Sequence, residues 1–178
     1  MRAMHSLAIA FAAIASPFLY AFGPDDGRDW CELASAKDAK EFGWLAAREG
    51  EVVLNADRKV GKNSLRVHGL ASGLPYMGMR LKREIDLTGA KAGDRISFWI
   101  RQNYGTGITI NIKLQQAGHI YSSTTIPKGE WARVALDLDP EKWTREAGAT
   151  WGKIGQIAFY SKSFDTAEEF MQIDGLTI

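Results

Sequence analysis

The sequence predicts an all-β chain, a two-sheet antiparallel β-sandwich with one short N-terminal helix, on three observations. Ile108, Ile110, Ile112 and Leu114 alternate without a break with Thr109, Asn111, Lys113 and Gln115, which makes a strand with one apolar and one hydrogen-bonding face. The same period-two pattern recurs from Ser64 to Ile178 at the spacing of a sandwich. The faces turned from the core carry Arg, Lys, Asn, Gln and Tyr, side chains suited to holding a ligand.

In chain order, residues 1–23 hold Arg2, no acid and a mostly apolar run from Leu7 to Phe22, broken by Ser16 and Pro17. This fits a secretory signal, and Pro17 argues against a retained membrane span. Ala13-Ile14-Ala15 and Ala21-Phe22-Gly23 both offer small-x-small cleavage patterns, so the cleavage site stays open. Residues 24–178 then read as one domain, secreted or periplasmic, with no integral membrane span once the leader is gone. Cys31 is the single cysteine, so no intrachain disulfide exists, and its ordinary reading is a small apolar strand residue.

A first strand is expected at 29–33, followed by Ser35-Ala36-Lys37-Asp38, an N-cap with an acid three positions on, which opens a short helix ending near Gly43. Strands are expected at 51–55, 64–68, 77–86, 94–102, 108–115, 119–125, 131–138, 154–161 and 170–178. Gly- and Pro-containing turns separate them: Val60-Gly61-Lys62-Asn63, Ala92-Gly93, Tyr104-Gly105-Thr106-Gly107, Ala117-Gly118 and Pro127-Lys128-Gly129. Asp139-Pro140-Glu141 reads as a capped helical turn.

Charge excludes some partners. The chain has 22 basic and 21 acidic residues, and removing Arg2 with the leader leaves 21 against 21, so attraction to nucleic acid is not built in. Catalysis has little support: no Gly-x-Ser-x-Gly elbow, His-Glu-x-x-His pair or phosphate loop occurs. The carboxylates Glu84 with Asp86 and Glu130 with Asp137 belong to no assignable cleft, and His68 and His119 are too few for a metal or triad site. Tyr76, Tyr104, Trp143 and Trp151 fall in expected loops, where Trp is usually folded under the sandwich end; Tyr104, between Asn103 and Gly105, is expected to be exposed.

Four motifs in order, Gly61-Lys62-Asn63-Ser64-Leu65-Arg66-Val67, Ile96-Ser97-Phe98-Trp99-Ile100-Arg101, Gly129-Glu130-Trp131-Ala132-Arg133-Val134 and Phe170-Met171-Gln172-Ile173-Asp174-Gly175-Leu176, resemble those of the galactose-binding-like jelly rolls used as carbohydrate-binding modules. The resemblance implies a back sheet holding Leu65, Phe98, Val134 and Ile173. It implies a front, ligand-binding sheet holding Met79, Ile110, Tyr121 and Phe159. Alternation then displays Arg80, Lys82, Asn111, Lys113, Gln156 and Tyr160 on the front face, and the Tyr121 side of its strand is chosen as outward.

The expected ligand-binding residues are therefore Arg80, Asn111, Lys113, Tyr121, Gln156, Tyr160 and Tyr104, donors and flat rings of the kind that meet sugar hydroxyls and C–H faces. Arg80, Lys82 and Lys113 hint at acidic sugars such as uronates. The function expected is a non-catalytic module binding poly- or oligosaccharide, with a carbohydrate-active enzyme as a possible partner. The rivals are a protein-binding adhesion or assembly domain and a jelly-roll lyase or hydrolase. No cofactor is expected. The resemblance also implies a structural calcium held by Asp174 and a first-strand acid, but Glu32-Leu33-Ala34 puts Ala34 where that acid is needed.

Overall fold

The computed structural model describes residues 44–46, 51–60, 62–68, 75–105, 107–114, 118–161 and 164–178. The expected leader, first strand and short helix lie outside the described residues.

Eleven strands are described: β1 Trp44–Ala46, β2 Glu51–Asn55, β3 Ser64–His68, β4 Tyr76–Asp86, β5 Arg95–Gln102, β6 Ile108–Leu114, β7 Gly118–Thr124, β8 Ala132–Asp137, β9 Thr144–Arg145, β10 Lys153–Tyr160 and β11 Phe170–Thr177. They form two antiparallel sheets, β1-β4-β10-β6-β7-β9 in front and β2-β3-β11-β5-β8 behind. Leu65, Phe98, Val134 and Ile173 lie in the back sheet, and the strands of Met79, Ile110, Tyr121 and Phe159 make the front one, as the resemblance implies. The short strands β1 and β9 were not expected. Three and two residues are too few to show a period. The expected helical turn is a 3₁₀ turn, Pro140–Lys142, capped by the Asp139 carboxylate accepting from the Glu141 N–H.

Alternation builds the core. Ile96, Phe98 and Ile100 of β5 are at most 1% exposed, as are Ile157 and Phe159 of β10 in the other sheet. Phe98 and Phe159 meet edge-on between the sheets, their centroids 5.0 Å apart. Leu65, Met77, Ile120 and Ile173 pack around them, each such side chain contributing about 1.5–3 kcal/mol by leaving water.

Aromatic plugs close the sandwich ends. Trp143 is buried and Trp151 packs beside it at 5.5 Å, and their indole N–H groups donate to Asp137 and Leu138 carbonyls at 2.7 and 3.0 Å. Tyr104 corrects the expectation of exposure. It is 4% exposed, with its ring edge-on against Phe164 at 4.8 Å, and burial pushes its phenol up to about 12. The cause is long-range. The Asn103 amide donates to the Glu168 carbonyl, its oxygen accepts from the Phe170 N–H, and this clamp turns the next residue inward.

Candidate functional site

The outward face of the front sheet is set by β10. Ile157 and Phe159 point into the core, so Gln156 and Tyr160 point away from it. Ile154 is also fully buried although it stands two residues before Gln156, and a register shift between the two, seen against both neighbouring strands, reconciles them. In β7 the core residue is Ile120, which puts Tyr121 on the outward side, partly buried.

Register then assembles three rows across the sheet. Gln156 pairs with Arg80 on one side and Lys113 on the other, and Lys113 pairs with His119. Ala158 pairs with Gly78 and Asn111, Asn111 with Tyr121, and Tyr121 with Thr144. Tyr160 pairs with Tyr76 and Thr109. Six of the seven sequence-predicted binding residues therefore fall on adjacent registers of four neighbouring strands. Tyr104 stands apart, in the core.

Tyr76 is the residue that sequence reasoning missed. Expected in a loop, it is the first residue of β4, and its ring lies near that of Tyr160 with centroids 6.5 Å apart and planes at 23°. The Gln156 amide donates to the Tyr76 hydroxyl at 2.5 Å. The ring reaches that position by crossing Gly78, where a Cβ would lie 2.7 Å from ring carbon Cε1 and from the hydroxyl oxygen. The spacing Tyr76-x-Gly78 was the available signal, a bare backbone two positions along the same face. The Tyr76 ring thus lies over Gly78 with the Tyr160 ring near it, and the Gln156 amide meets the tip of the phenol. At the far side, His119 is tied to Glu146 through its ring, 3.1 Å away, and its backbone N–H.

Asp174, the calcium candidate, lies on β11 and is 2% exposed. Its Oδ2 accepts the Lys59 and Val60 N–H groups at 2.6 and 2.7 Å, and its Oδ1 accepts that of Gly175 at 2.8 Å. Burial raises its carboxyl above the ordinary range, and the amide hydrogen bonds oppose that shift. N–H dipoles aimed at the oxygens present positive charge where a cation would sit, so these residues do not fit a calcium ligand set. Among the described residues there is no group of three or more His, Cys, Asp or Glu that could hold a metal.

No protein-family model matches the chain, and no curated protein matches its sequence. Solved structures do match in fold. An exo-β-agarase superposes with a TM-score of 0.57 at 10% identity, over 76% of this chain and 23% of that one. A second agarase gives 0.55 at 10% identity, over 75% and 22%. A family 11 carbohydrate-binding module from Clostridium thermocellum, in complex with a β-1,3-1,4-mixed-linked tetrasaccharide, gives 0.51 at 16% identity, over 75% of this chain and 86% of the module. The chain thus spans under a quarter of the length of the two agarases. Its fold is the jelly-roll β-sandwich that such modules share. Among the described residues, no helix is long and apolar enough to cross a membrane.

Proposed function

We propose that this chain is an exported, non-catalytic module that binds a poly- or oligosaccharide on the outward face of its front sheet. The observation that carries the reading is the Tyr76–Tyr160 pair beside the Gln156 amide, on a face whose registers also hold Arg80, Asn111, Lys113 and Tyr121. Rings meet the apolar C–H faces of a sugar, and amides and cations meet its hydroxyls. If stacking buries about 200 Å² at roughly 25 cal/mol per Å², the gross gain is about 5 kcal/mol before immobilisation and desolvation are subtracted. Dissociation constants of roughly 10 μM to 1 mM follow.

A polysaccharide-active enzyme as working partner belongs to this proposal, because two of the fold neighbours are agarases of which the shared part is a minor fraction. Agaro-oligosaccharides and mixed-linkage β-glucan are the first probes, ahead of a wider glycan array. Calorimetry on the array hit should give binding that Tyr160→Ala weakens about tenfold, a loss of about 1.4 kcal/mol. Unchanged affinity in both Tyr160→Ala and Tyr121→Ala, with each variant shown to be folded by circular dichroism, would falsify the front-face assignment. Export is tested by the intact mass of the protein recovered outside the cell, which should lack residues before the cleavage point; a chain starting at Met1 in the membrane fraction would contradict it.

A further inference from the structure

The outward face of the back sheet carries a second cluster of rings and cations. Register brings Arg66, Gln172 and Arg101 into one row across β3, β11 and β5, and Asp174, Trp99 and Arg133 into the next row across β11, β5 and β8. Residues 56–60 fold over the centre of this face: the Asp57 carbonyl accepts from the Gln172 amide at 2.5 Å, and the Lys59 and Val60 N–H groups bind Asp174. That segment adds Arg58 and Lys59, both exposed. Lys59 Nζ lies 5.3 Å from the centroid of the half-buried Trp99 ring, and the Arg133 guanidinium lies 6.0 Å from it. The Arg66 guanidinium stacks on Phe170 at 3.9 Å, with Arg101 5.8 Å from the same ring.

Five cations thus share one face of a chain whose basic and acidic residues number 22 and 21. Two acids stand among them: Asp57 pairs with Arg101 and the Trp131 indole, and Asp174 accepts backbone amides and attracts Arg58. Crowding like charges costs stability through mutual repulsion, and an anion laid across them removes that cost. A half-exposed tryptophan flanked by an ammonium and a guanidinium offers a ring for a sugar face and two donors for its acid groups. Lysine or arginine stems shielding a tryptophan would account for one such contact. They do not account for five cations gathered with two acids over the two central rows of the face.

We propose that this outward face of the back sheet, centred on Trp99 between Lys59 and Arg133, is a second glycan-binding surface whose ligand is an anionic polysaccharide bearing carboxylate or sulfate groups. It is separate from the front-sheet site and does not depend on it. Native affinity electrophoresis of the whole protein through gels containing polygalacturonate, dextran sulfate or neutral dextran tests it. The two anionic polymers should retard the protein and neutral dextran should not, and the retardation should fade as salt rises, because exposed charges are screened within about 8 Å at physiological ionic strength. Trp99→Ala and the double variant Lys59→Ala/Arg133→Ala should each weaken retention at least fivefold, while Tyr160→Ala leaves it unchanged. The double variant changes only exposed side chains, so it keeps the test sound should Trp99→Ala fail to fold. No retardation by either anionic polymer, or retardation that Tyr160→Ala abolishes and the back-sheet variants keep, overturns the proposal. Equal retention by single-stranded DNA overturns its sugar component. Retention by polygalacturonate alone or by dextran sulfate alone supports it and identifies the acid group.

Discussion

The Gln156 amide and the Tyr76 hydroxyl meet at 2.5 Å across the β10–β4 pair, although the two residues do not share a register position: Gln156 pairs with Arg80, and Tyr76 pairs with Tyr160. The phenol therefore runs along the sheet over Gly78, two residues on, and the Gln156 side chain reaches back to meet it. It fixes the amide in an orientation that a solvent-exposed glutamine would not otherwise keep. Tyr76→Phe keeps the ring and removes the hydroxyl. It should lower stability by about 0.5–1.5 kcal/mol, read by urea denaturation, and weaken glycan binding less than Tyr160→Ala does.

Gly78 is the position over which the Tyr76 ring lies, and Gly78→Ala introduces a methyl 2.7 Å from that ring. The ring must swing out, because the added carbon belongs to the strand backbone and has nowhere to go. The displaced ring gives up its hydrogen bond with the Gln156 amide, a loss of about 0.5–1.5 kcal/mol. The melting temperature should drop, and affinity for the array hit should fall with it because the ring pair is broken; a variant with unchanged melting temperature would show that the ring does not rest there in solution.

Asp174 joins residues 59 and 60 to the last strand through two backbone N–H bonds, and a third, from Gly175, stays within the strand. Asp174→Ala leaves these three amides without their acceptor and should cost about 3 kcal/mol or more, at roughly 1–3 kcal/mol for each buried group left unsatisfied. Chelator should leave the melting temperature of the wild type almost unchanged. A large drop that added calcium restores would place a metal at this carboxylate after all.

Asp137 gives a pH dependence of definite sign. The Lys142 ammonium at 2.7 Å, with the Asp139 and Gly93 N–H groups, holds its carboxyl down to about 2. A carboxyl depressed in the folded state stabilises above its unfolded value, roughly 4, and that contribution is lost as pH falls toward about 2. Asp137→Asn should therefore show a shallower decline in melting temperature than the wild type between those limits. Parallel curves would mean that the pair with Lys142 is not maintained in solution.

Most of the strand framework was legible because it rests on local alternation. The strands 51–55 and 64–68 match their expected bounds, and most of the other expected strands differ by one residue at an end. The front-face residues of β10 were legible for the same reason, since Ile157 and Phe159 leave no choice for Gln156 and Tyr160. Long-range contacts were hidden. Nothing local distinguishes Tyr104 from an exposed turn residue, because its inward direction is set by Asn103 binding Glu168 and Phe170 far along the chain. Gln172 and Asp174 alternate with Met171 and Ile173 as outward residues should, yet they are 1% and 2% exposed because residues 56–60 cover them. Tyr76 was concealed by Pro75, which reads as a loop signal at what is in fact the entry to β4.

The register shift in β10 makes the two halves of that strand obey opposite parity. Before it, Ile154 belongs to the core; after it, the core residues are Ile157 and Phe159. Deleting Gly155, the extra residue against β6, would bring the halves into phase as one regular strand, with Ile154 still inward and Gln156 and Tyr160 still outward. The strand thus carries a frame in the sense that a reading frame does. Substitutions can retune either half of the face, whereas a single-residue insertion or deletion within the regular half, between Gln156 and Tyr160 for instance, exchanges interior for exterior along everything on one side of it.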